Sequence, residues 1–94
     1  MEDFKEILSQ RAETLTAELI KALAEYGEKN GLQRDDSYTV ACQAVFGSAR
    51  LILQSGEHPE SLVDKVCSPG GTTVEGLLRL KKNGFDKCVI ESLE

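Results

Sequence analysis

The chain has 94 residues, a net charge of −5, and 40% apolar against 29% charged residues, the balance of a folded rather than a disordered protein. No uninterrupted apolar run exceeds four residues, far short of the ~20 that a membrane-spanning helix needs. The eleven Lys and Arg are scattered among sixteen acids, so the chain offers no platform for phosphates, and neither nucleic acid nor membrane is an expected partner.

Met1-Glu2-Asp3-Phe4-Lys5 has neither the basic start nor the apolar stretch of a signal peptide, and a cytoplasmic protein is expected. Three cysteines, Cys42, Cys67 and Cys88, are an odd count without close spacing, and His58 is the only histidine. A zinc site needs about four ligands at short spacings, so free thiols in a reducing compartment are expected, with no metal.

Residues 3–29 carry Phe4, Ile7, Leu8, Ala12, Leu15, Leu19, Ala22, Leu23 and Tyr26 at three- and four-residue spacings, which predicts one amphipathic helix ending at Asn30-Gly31. A second helix is expected from Asp35 or Asp36, either able to accept a backbone N–H as cap, to about Gln54. It carries two apolar stripes. One is Tyr38, Ala41, Cys42, Val45, Ala49 and Ile52, and the other is Val40, Ala44, Gly47 and Leu51. A helix apolar nearly all round belongs in an interior, and its small residues allow another backbone to come close. A central helix of a monomeric bundle would fit the same pattern.

His58-Pro59 opens a short helix through Val66, with proline at the first position, where its missing N–H costs nothing. A fourth helix is expected over 73–82, stopping at Asn83-Gly84, and a fifth over Phe85 to Leu93; no strand alternation appears. The fold class is therefore all-α, a five-helix domain over residues 1–94. The first helix, at about 1.5 Å per residue, would be about 40 Å long. A compact domain of this size is only ~32 Å across. The helix overhangs its own domain, and a two-fold partner is the commonest cover for such an apolar overhang.

Between the third and fourth helices, Cys67-Ser68-Pro69-Gly70-Gly71-Thr72-Thr73 is the one loop of unusual composition. Thr72 as cap and Glu75 three residues on form a capping box. The first N–H groups of a helix lack internal partners and carry about half a positive charge, so they can bind an anion. The glycines let a ligand approach, and Ser68 and Thr73 offer hydroxyls. The same segment also reads as no more than a turn and a cap. It is not a phosphate loop, since the glycine spacing and the following lysine are missing. Other candidates for chemistry have blander explanations: capping for Asp35-Asp36, a cap or solvated side chain for His58, and an unactivated thiol for Cys67.

Val66-Cys67-Ser68-Pro69-Gly70-Gly71-Thr72-Thr73, followed by Gly76-Leu77 and Leu80, resembles the signature of the C-terminal domain of pyrroline-5-carboxylate reductases. The similarity extends to Ile20-Lys21-Ala22-Leu23-Ala24, Gly31-Leu32, the run from Ala44 to Ala49, the run from Ser55 to Leu62, and Gly84-Phe85 through Glu91, covering about residues 18–94. The resemblance implies a helical, intertwined homodimer that some members assemble into larger rings. It further implies that Ser68, Gly70, Gly71, Thr72 and Thr73 receive the carboxylate of pyrroline-5-carboxylate or proline, with Thr73 near the ring nitrogen. NADP or NAD is bound in that family by a separate Rossmann domain.

Two departures qualify what is carried over. The family leads into its first helix with a Ser-Gly-Ser-Gly-Pro-Ala-Tyr-like segment that helps line the pocket, where this chain reads Leu8-Ser9-Gln10-Arg11-Ala12-Glu13-Thr14-Leu15. There is also no Gly-x-Gly-x-x-Gly fingerprint, so no cofactor and no catalytic residue is expected in this stretch. The expectation is an oligomerisation and substrate-carboxylate domain of a proline-biosynthetic reductase, inactive alone. The alternative is a stand-alone helical dimer acting as an interaction or small-anion-binding module without catalysis.

Overall fold

A computed structural model describes residues 3–66 and 72–94. Within them lie α1 (Phe4–Lys29), α2 (Arg34–Ser55), α3 (Pro59–Val66), α4 (Thr72–Lys82) and α5 (Phe85–Leu93), with no strand among the described residues. The all-α, five-helix expectation holds.

The ends of the helices follow from local chemistry. α1 closes in a paired C-terminal motif: the Leu32 N–H donates to Gly27 O and the Gly31 N–H to Glu28 O, both at 3.1 Å. Gly31 holds φ +102° to make this possible, a conformation that side chains with a Cβ resist. α2 starts earlier than expected, because the Ser37 N–H already bonds Gln33 O at 2.9 Å. Asp35 and Asp36 therefore sit inside the first turn, where their charge favours the positive helix end, rather than capping it. One turn on, Thr39 Oγ1 donates to Asp35 O at 3.0 Å and the Arg34 guanidinium lies 5.9 Å from the centre of the Tyr38 ring.

At α3, His58 Nδ1 accepts the Glu60 N–H at 3.1 Å and His58 O accepts from Ser61 N at 2.8 Å, with Pro59 as the first helical residue. α4 begins at Thr72, one residue ahead of expectation, so Thr72 belongs to the helix rather than standing before it as a cap. α4 and α5 are joined through Gly84 at φ +74°, whose N–H bonds Lys81 O at 3.1 Å while its own carbonyl accepts from Cys88 N at 2.9 Å. One residue thus ends one helix and starts the next. An exposed Lys81–Asp86 pair at 3.0 Å spans the corner.

The chain divides into two compact units. One holds α1 and α2 as far as Ala49 together with Leu93, and the other runs from Arg50 through α3 and α4 to Ser92 of α5, with Glu94. In the first unit, the buried residues are Ala24, Ser37 and Ala41, all small. Gly27 belongs to the same contact: a Cβ placed on it would lie 2.7 Å from Ser37 Oγ and 3.2 Å from Leu32 Cδ1. α1 and α2 therefore touch nearly backbone to backbone, with Leu32 folded over Gly27. In the second unit no described residue is buried. Ile52, Leu62, Val63, Val74, Leu77 and Val89 are half-buried.

Candidate functional site

The site expected from sequence lies at the start of α4. Ser68, Gly70 and Gly71 fall outside the described residues, as do the side chains of Thr72 and Thr73. Thr72 and Thr73 open an eleven-residue helix with Glu75 in its first turn and Arg79, Lys81 and Lys82 in its last, an arrangement that matches the helix dipole at both ends. The first backbone N–H groups of an α-helix have no partner within the helix itself.

The other candidates are settled by local geometry. His58 caps α3 through its ring nitrogen and its carbonyl. Asp35 and Asp36 belong to the first turn of α2. Cys42 and Cys88 are free, exposed thiols, and Cys67 lies outside the described residues. Among the described residues no group of three or more His, Cys, Asp or Glu side chains could hold a metal. No described helix is long and apolar enough to cross a membrane.

Two further features stand out, of which sequence anticipated only the second, through the overhanging stripe of the first helix and the two apolar stripes of the second. One is a depression of about 280 Å³ between α4 and α5, lined by Gly76, Arg79, Leu80, Asn83, Phe85 and Cys88. It is mostly apolar with one guanidinium at its edge, and the signal for it was the Asn83-Gly84 corner, which folds α5 back beside α4.

The second feature is larger. In the first unit, Phe4, Ile7, Leu8, Leu19, Leu23, Tyr26, Leu32, Val40 and Phe46 are all exposed, Phe4 and Phe46 to 65% and Tyr26 to 71%. Burying such side chains fully is worth about 1.5–3 kcal/mol each. Half-exposed residues therefore leave about 1 kcal/mol apiece unrealised. On α2 the stripe with Tyr38, Ala41 and Val45 turns inward and the stripe with Val40, Ala44 and Gly47 is open. Nothing lies within 4 Å of where a Cβ on Gly47 would stand. The apolar faces of this hairpin exceed what its own two helices cover.

The family of pyrroline-5-carboxylate reductase dimerisation domains matches residues 9–94. The chain is 47% identical over 74 residues to the pyrroline-5-carboxylate reductase of Escherichia coli strain K12, covering 79% of this chain and 28% of that protein. It is 40% identical over 87 residues to the enzyme of Treponema pallidum, covering 93% of this chain and 33% of the relative. Among solved structures, Plasmodium falciparum pyrroline carboxylate reductase with NADP bound is similar at a TM-score of 0.85 and 32% identity, over 93% of this chain and 35% of that one. The chain thus spans about a third or less of the length of the relatives it matches. The loop signature, the five-helix order and the surplus of apolar surface converge on one family, and the chain belongs to that of the pyrroline-5-carboxylate reductase dimerisation domain.

Proposed function

We propose that these residues form the homodimerising and substrate-carboxylate-binding part of an NAD(P)H-dependent pyrroline-5-carboxylate reductase acting in proline biosynthesis. The observation that carries the self-association is the burial pattern: three small buried residues in the α1–α2 unit against nine exposed large apolar ones. A second copy is the natural cover in a family defined by dimerisation, and dimers can assemble further into a ring. The domain is taken as one functional piece over residues 1–94.

The carboxylate reading rests on the match of Ser68, Gly70, Gly71, Thr72 and Thr73 to the family signature, together with a helix that begins at Thr72. A carboxylate there would accept charge-assisted hydrogen bonds from backbone N–H groups, with the Ser68 and Thr73 hydroxyls at its rim. The nicotinamide cofactor does not fit this stretch. The sequence holds no Gly-x-Gly-x-x-Gly, and the described residues contain no strand to carry one. The cofactor belongs to a separate nucleotide-binding domain, and this stretch alone neither binds NADPH nor turns over.

The test is an NMR titration of the isolated chain with proline while the amides of Gly70 to Thr73 are followed, with NADPH titrated in parallel. Movement of those amides at millimolar proline, abolished by Gly71→Val, is expected, with no response to NADPH. Amides that stay fixed would reduce the loop to a turn and a cap. A saturable NADPH response would overturn the assignment of the cofactor to another domain.

A further inference from the structure

No further inference is drawn: the strongest candidate, the hollow between α4 and α5 lined by Gly76, Arg79, Leu80, Asn83, Phe85 and Cys88, is a mostly apolar face whose lining residues are all exposed, and nothing in the structure shows what covers it.

Discussion

Gly27 and Gly47 are both interior helical glycines with ordinary negative φ, and neither is there for backbone freedom. A Cβ on Gly27 would strike Ser37 Oγ at 2.7 Å, whereas one on Gly47 would meet nothing within 4 Å. The first glycine is explained within the chain, because it lets α1 and α2 close on each other. The second, on the open stripe of α2, leaves room that the chain itself does not use. The contrast extends to the side chains around them: Ala24, Ser37 and Ala41 are buried at the internal contact, while Leu19, Leu23, Val40 and Phe46 are exposed. Small residues set the hairpin, and the large apolar residues are left for another surface.

If that division is right, substitutions on the two sides should separate association from folding. The largest effect is expected from Leu19→Glu combined with Leu23→Glu, which places two charges on the open face of α1. Self-association should weaken by more than about 100-fold by sedimentation, the scale of burying charge without a partner, while the helical signal of the dissociated chain persists. Loss of helix instead would mean that this face supports the single chain.

Gly27→Ala acts on the other side. Alanine is intrinsically better than glycine in a helix by about 1 kcal/mol, yet here the added methyl must displace the first turn of α2, so a net loss of about 1–3 kcal/mol is expected in denaturant unfolding. A gain would show that the hairpin can open without cost. Gly47→Ala should behave in the opposite way, with helix stability of the dissociated chain raised by up to about 1 kcal/mol. Its association should be weaker severalfold, because the methyl occupies space reserved for the partner. Unchanged association would place the second copy elsewhere.

The smallest effect is expected at Ser37, whose buried hydroxyl has no hydrogen-bond partner. Ser37→Ala removes a desolvated polar group without opening a cavity, and stability should stay within about 0.5 kcal/mol of wild type or rise slightly. A loss above about 1 kcal/mol in urea melts would show that the hydroxyl is satisfied in solution.

Much of this was legible in the sequence because helix signals are local. Asn30-Gly31, His58-Pro59 and Asn83-Gly84 mark their boundaries through φ and hydrogen-bond preferences of one or two residues. The errors lay at helix starts. Asp35 and Asp36 are good caps by type, but Gln33 supplies the first carbonyl, and residues favoured in the cap are also favoured one turn in by the dipole. Thr72 was displaced by one residue in the same way.

What periodicity did not decide is which apolar face goes inward. The three- and four-residue spacings pick out Leu19 and Leu23 as part of the apolar stripe, yet Ala24 and Gly27 make the contact with α2. The usable signal was size: Ala24 and Gly27 pair with Ser37 and Ala41, small residues at helical spacing on both sides of one tight turn. The loop proposed to bind a carboxylate was singled out by its residue types and its signature, and its residues Ser68 to Gly71 lie outside the described structure.

A second copy of the chain is the cover proposed for its large apolar faces. Sedimentation equilibrium of the 10.3 kDa chain at several concentrations tests it most directly. A two-fold mass is expected to persist to low micromolar concentration, with helical signal retained and binding of an apolar dye increased on dissociation. A well-folded species of single-chain mass throughout that range, binding no dye, would contradict it.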